Sequence, residues 1–135
     1  PTGNIFFSIV LKPDLKINYV PQLNFVTSLA IYDTLRLSLP KEIGFNFKWP
    51  NDLLLNEKKF CGILIESSFT GNVLDWLVLG VGMNLLSSPR NTIFPSTSLQ
   101  EMGCKDLSGE FFLERFLRNF KKYFVSWEIE GFNRV

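Results

Sequence analysis

Lys48-Trp49-Pro50-Asn51-Asp52 is followed shortly by Lys59-Phe60-Cys61-Gly62-Ile63-Leu64-Ile65-Glu66. This stretch gathers cations, an amide, a carboxylate and a glycine. Fixed cations stabilise charge that develops on phosphate or carboxylate oxygens. A carboxylate holds a hard metal ion or takes a proton. A glycine leaves room for a close approach to the backbone. Taken one residue at a time, the plainer alternative is a solvated turn between apolar strands, with Gly62 marking a bulge.

The chain has no histidine among its 135 residues, which narrows the chemistry. Ser-His and Cys-His triads are excluded, and so are the commonest zinc constellations. What remains is Lys, Asp, Asn, hydroxyls, backbone amides or a hard metal. Activation of a substrate by ATP suits that inventory. Cys61 and Cys104 lack metal or redox spacing and are expected to be reduced thiols of a cytoplasmic protein, Cys61 as an apolar core residue. A formal net charge of +1 and the lack of a basic stripe give no case for nucleic acid. No run is long and apolar enough to cross a membrane, and no signal-peptide pattern opens the sequence.

The elements that must position these residues follow from periodicity and punctuation. Residues 5–11 are apolar and β-rich and read as a buried strand ended by Pro13. Pro21 suits a first helical turn. Leu23, Val26, Ala30 and Leu37 continue at helical spacing until Pro40. Residues 45–49, 52–55 and 59–67 read as successive strands, with a tight turn at Asn56-Glu57-Lys58. Pro50 cannot donate to a ladder, so it belongs where pairing breaks, and it aims Asn51 and Asp52 at a strand end. Lys59 opens the next strand beside them, and Lys58 points to the opposite, solvated face. Thr70-Gly71-Asn72 is a turn, and 73–85 is a strand interrupted near Gly80 and Gly82. Residues 90–98 read as a loop. Ser108 caps a last helix with Glu110 in its first turn and Lys121 and Lys122 in its last. Leu113, Phe116, Leu117, Phe120, Phe124 and Trp127 make its apolar stripe. The expected class is α+β, with helices on one face of a mixed or mostly antiparallel sheet.

The motif set resembles the biotin protein ligases. The resemblance rests on Lys48 to Asp52 with Lys59-x-x-Gly62-Ile63-Leu64, which is quite specific. It also rests on Pro1-Thr2-Gly3-Asn4-Ile5-Phe6-Phe7-Ser8, on Gly80-Val81-Gly82-Met83-Asn84-Leu85, and on Ser96-Thr97-Ser98-Leu99 with Gly103, the last resembling the family's entry to its final helix. It implies the catalytic fold shared by biotin and lipoate ligases. It also implies two steps: biotin and ATP give biotinyl-5′-adenylate, and a lysine of a biotin carboxyl-carrier protein then takes the biotinyl group. On this resemblance residues 1–135 are a central part of the catalytic domain. The arginine-rich loop would lie before them and a small β-barrel after Phe132-Asn133-Arg134-Val135.

The resemblance also assigns roles. Lys59 is the cation between two anions, the carboxylate and the triphosphate. Asp52 either holds Mg²⁺ on the nucleotide or orients and deprotonates the incoming amine; its plain alternative is a turn carboxylate. Asn51 buttresses the site, contacts nucleotide or merely forms the turn. Lys48 meets phosphate or pairs with a local carboxylate. Trp49 packs beneath the site in preference to stacking on adenine. Gly62 and Leu64 line the biotin ring, Gly80 and Gly82 allow close approach, Asn84 contacts nucleotide, and Phe6 lies near biotin. The alternative for each is core packing, or a strand bulge for the two glycines of 73–85. A lipoate–protein ligase or octanoyltransferase is the near rival, and a non-catalytic biotin-binding relic is the distant one. A homodimer stays open.

Overall fold

The computed structural model describes residues 2–14, 16–104 and 108–134; Pro1 and Val135, the outer ends of two of the quoted motifs, lie outside them. Five strands form one antiparallel sheet: β1 (Ile5–Leu11), β2 (Phe45–Lys48), β3 (Asp52–Leu55), β4 (Lys58–Thr70) and β5 (Val73–Met83). Their spatial order is β1-β5-β4-β3-β2. Helices α1 (Gln22–Leu35) and α2 (Gly109–Glu130) cover one face, as expected for an α+β chain.

Alternation in the strands separates the two faces. In β5, Leu77, Leu79, Val81 and Met83 are buried, and Ile63 of β4 joins them against the helices. Phe6, Val10, Leu64 and Trp76 stand on the other face and are exposed. The expectation of a buried first strand is therefore corrected: among the described residues β1 is paired only with β5, and only Ile5 of the strand is fully buried. The strand 73–83 is also not interrupted. Gly80 and Gly82 keep regular pairing with β1 on one side and β4 on the other. Register shifts occur elsewhere, at Leu53/Leu54 against β4 and at Ser68/Phe69 against β5.

In α1 the buried hydroxyls of Thr27 and Thr34 bond back to Leu23 O (2.6 Å) and Ala30 O (2.7 Å), so neither is orphaned by burial, whereas Asn24 Oδ1 is buried without a partner among the described residues. Leu37 falls beyond the helix and is exposed, which removes it from the expected stripe. Ser108 Oγ accepts from Phe111 N–H (3.1 Å), the expected cap of α2. The helix then runs two turns past Lys121 and Lys122, to Gly131 at φ +81°, so those lysines are interior to it. Phe112, Phe116, Phe120 and Trp127 form the buried stripe; Leu117 is exposed. Three side-chain bonds lock α2 to α1: Asn119 Nδ2 to Thr34 Oγ1 (3.1 Å), Tyr123 OH to Asp33 (2.6 Å) and Trp127 Nε1 to Gln22 Oε1 (2.8 Å).

Candidate active site

The open face of the sheet carries the candidate residues, and the register puts them in rows. Phe6 of β1 lies opposite Gly82, Gly82 opposite Gly62, Gly62 opposite Asp52, and Asp52 opposite Lys48. Residues directly opposite across a ladder share a face, so one row crosses all five strands. The next row is Ser8, Gly80 and Leu64. Phe6 is 66% and Leu64 59% exposed, which rules out core packing for both.

Lys59 reaches this face because of a bulge. Strict alternation from Gly62 would turn Lys59 inward with Cys61 and Ile63. The pairing jumps from Leu53↔Cys61 to Leu54↔Lys59, leaving Phe60 as the extra residue. Phe60 and Cys61 are both buried, at 1% exposure each, and Lys59 is thereby turned outward. Its Nζ pairs with Asp52 Oδ1 at 2.5 Å. Gly62 makes room for that pair: a Cβ there would sit 3.4 Å from Lys59 Nζ and 3.7 Å from Asp52 Oδ1. Lys58 is exposed at the strand end, as expected. Burial pushes the Cys61 thiol well above its ordinary range, so it serves as an apolar core residue beneath the site.

The β2–β3 turn is held from β4. Asn51 Nδ2 donates to Ile63 O (2.8 Å) and Ile63 N–H donates to Asn51 O (2.9 Å), which makes Asn51 a buttress. Lys48 has no carboxylate partner among the described residues; its Nζ lies over the Phe94 ring, 4.3 Å from the centroid. Trp49 is also corrected. It is 69% exposed and stacks on Phe25 of α1, outside the site.

Two hollows meet at this row. One, of about 620 Å³, lies over the sheet and is lined by Ser8, Asn51, Asp52, Leu64 and Gly80. The other, of about 600 Å³, lies between the sheet and the loop after β5 and is lined by Asn84, Pro89, Ile93 and Phe94. Phe6, Lys59, Gly62 and Gly82 border both. Lys59 thus stands between two cavities of small-molecule size. A larger hollow, of about 760 Å³, is lined by Tyr19, Gln22, Trp127 and Phe132 and shares no residue with the motif.

Asn84 donates to Thr97 O (3.0 Å) and receives a weaker bond from Asn4 (3.4 Å), so its amide ties the end of β5 to the loop while facing the second hollow. Segment 95–97 continues the sheet where β5 leaves it: Lys59 N–H donates to Pro95 O and Thr97 N–H to Lys59 O, both at 2.9 Å. The Ser96-Thr97-Ser98-Leu99 segment leads into a turn, and α2 begins only at Gly109. Two contributors escaped the sequence reading. Ser8 had a signal, since it follows Phe6 by the strand period of two. Phe94 had none, because its place beside Lys48 depends on the path of an irregular loop.

The donors near Asp52 do not make a protein-only metal cage. No group of three or more His, Cys, Asp or Glu suited to a metal occurs among the described residues. One carboxylate beside an open hollow fits a magnesium ion that arrives with phosphate and keeps most of its water.

Comparison with known proteins bears on family and fold. Residues 2–135 match the Biotin/lipoate A/B protein ligase family. A biotin–[acetyl-CoA-carboxylase] ligase of Paracoccus denitrificans is 42% identical over 89 residues, covering 66% of this chain and 37% of that protein. The biotin protein ligase from Aquifex aeolicus in complex with biotin and ATP superposes with a TM-score of 0.71 at 26% identity, over 93% of this chain and 52% of that one. The Leishmania major biotin protein ligase in complex with biotinyl-5-AMP gives 0.71 at 27% identity, over 100% and 62%. The chain spans between 37% and 45% of the length of six curated relatives that it matches. Matched by family over nearly its whole length and by fold to solved biotin protein ligases, the chain belongs to the biotin/lipoate A/B protein ligase family.

Proposed function

We propose that the protein carrying this chain ligates biotin to a lysine of a biotin carboxyl-carrier protein through biotinyl-5′-adenylate. The observation that carries this reading is the position of Lys59 on the shared border of two hollows. Two anions repel as they approach; a fixed cation between them offsets that repulsion and stabilises charge at the α-phosphate. The hollow over the sheet takes the biotin ring against Gly62, Leu64, Gly80 and Phe6. The loop-walled hollow takes the nucleotide, with Asn84 and Phe94 at its edge. A biotin carboxylate oxygen attacks the α-phosphorus, the bond to the bridging oxygen breaks, and pyrophosphate leaves. The carrier lysine amine then attacks the carbonyl carbon, an amide forms, the amine loses a proton, and AMP leaves.

Asp52 supports the first step through Lys59. Its pairing with Lys59 holds the ammonium at the border. Asp52 lines the sheet-side hollow and meets the other only through Lys59, so a magnesium ion on the nucleotide would have Asp52 as a ligand only at that border, where it would supply further neutralisation of the phosphates. Asn51 and Lys48 support the turn and the loop wall in place of touching the reacting atoms.

Calorimetry of the full-length protein with biotin and with lipoate tests the substrate. Biotin is expected to bind more tightly by about tenfold or more, since a pocket with placed polar groups rejects a ligand that leaves them unpaired. Equal or tighter lipoate binding would move the protein to the lipoate branch of its family. Binding of neither would leave the fold without the function.

A further inference from the structure

The loop that walls the second hollow is held at both ends by one carboxylate. Glu101 lies beyond the loop, in the turn before α2. Ser88 Oγ, at the loop's start, is 3.0 Å from both Glu101 oxygens. Thr97 Oγ1 (3.1 Å) and Ser98 N–H (2.9 Å), at its end, donate to Oε2. Ser98 Oγ accepts from Glu101 N–H in return (3.2 Å), a reciprocal pair that fixes the carboxylate's own backbone. Inside the loop, Ser96 Oγ donates to Pro89 O (2.8 Å) and closes the same span.

We propose that Glu101 is a positioning residue: it latches residues 88–97 in the conformation that makes the wall of the loop-side hollow, and so sets the affinity for the nucleotide there. The nucleotide assignment rests on the proposed function; the latch itself does not. Three features support it. The far end of the loop is already anchored to β4 through Lys59 and to β5 through Asn84. At the near end, Asn4 holds Leu86 and Ser87, just before the loop, and within the loop the ties are Glu101 at Ser88 and Ser96 at Pro89. The wall itself, Asn91 to Phe94, is exposed and cannot hold its shape by burial. Desolvation raises the Glu101 pKa, but the hydrogen bonds from Ser88, Ser98 and Thr97 outweigh it and hold the carboxyl below its ordinary range, in the ionised state the latch needs.

Glu101→Gln keeps the side chain's size and removes its charge; Ser88→Ala cuts only the tie to the loop's start. Two measurements on the full-length protein separate the latch from the nucleotide assignment. Without ligand, trypsin should cut after Arg90, exposed in the loop, about tenfold faster in Glu101→Gln than in the parent, while cleavage after Lys16, exposed at the opposite end of the sheet, stays the same. Cleavage follows the rise in the open fraction and affinity the fall in the closed one, so the two factors need not be equal. Calorimetry should show ATP binding weakened by about threefold or more with biotin binding within about twofold, and Ser88→Ala should give a smaller change in the same direction. Unchanged cleavage at Arg90 in both variants overturns the latch whatever the nucleotide does. Faster cleavage at Arg90 and Lys16 together, or equal losses for biotin and ATP, makes Glu101 a general stability residue and also overturns it. Faster cleavage at Arg90 alone, in a protein that binds no ATP, upholds the latch and sinks the nucleotide assignment.

Discussion

The two faces of one sheet are built to opposite rules. On the helix face, Leu77, Leu79, Val81 and Met83 interlock with Phe112, Phe116 and Phe120, and exposure falls to almost nothing. On the open face the same strands carry Gly62, Gly80 and Gly82, with Phe6 and Leu64 uncovered around them. Alternation makes this possible, because successive residues of one strand serve the two faces independently. The helix face spends its residues on packing and fixes the sheet's shape. The open face gives up packing for space and holds one ion pair where two hollows meet. Stability and binding should therefore respond to different substitutions on neighbouring residues.

The largest break in that division should come from the packed face. Phe116 is fully buried and meets Phe7, Phe112 and Phe120 at centroid distances of 5.2, 5.9 and 5.6 Å. Phe116→Ala should cost about 3–5 kcal/mol of unfolding free energy, read from urea melts. A loss under about 1 kcal/mol would mean that the helices do not hold the sheet.

The open face should give the mirror result. Lys59→Ala should slow adenylate formation by about a hundredfold or more, the scale of one preorganised charge-stabilising group, with little change in melting temperature. Lys58→Ala should be near neutral. A pyrophosphate-release assay on both reads the contrast, and equal losses would undo the assignment that the bulge at Phe60 makes.

A smaller effect sharpens the comparison within the open face. A Cβ on Gly82 would stand 3.3 Å from the Phe6 ring, whereas one on Gly80 would meet Leu64 O at an ordinary 3.6 Å. Gly82→Ala should push the exposed Phe6 ring aside and weaken biotin binding by about tenfold, the scale of one hydrophobic contact mismatch in a pocket. Gly80→Ala should weaken it less. Titration calorimetry on both variants checks the order; the reverse order would place the ligand nearer Gly80.

The smallest expected effect lies between the helices. The hydrogen bond from Tyr123 to Asp33, with some burial, pushes the phenol's pKa from 10.0 up to about 12. A raised pKa means that the protonated form is favoured in the fold. The bond's contribution, about 1 kcal/mol, is present below pH 10 and is lost as the pH rises from there towards about 12. Tyr123→Phe should lose that amount at pH 8 and nothing further by pH 12. Parallel slopes for the two proteins across that window would show that the bond contributes nothing.

Much of this was legible from residue order. The hairpin over Asp52 and Lys59, the turn at Gly71, the cap at Ser108 and the α+β class all follow from local rules about proline, glycine, hydroxyl caps and periodicity. Local rules were weakest where burial or irregular backbone intervened. The composition of 5–11 suggests a strand buried on both sides, yet its burial depends on which strand lies next to it. Trp49 and Leu37 are apolar by type and exposed by position.

The sequence by itself determined which chemical groups exist and how closely the chain can bring them: lysine and carboxylate without histidine, and glycines two residues apart on a strand. Tertiary structure alone decided where those groups point. An extra residue at Phe60 turns Lys59 out of the core, because Phe60 and Cys61 are both buried there and cannot alternate. Long-range bonds set the loop that carries Phe94, through Lys59, Asn84 and Glu101. Contacts between residues far apart in the chain make those choices, and no local spacing records them.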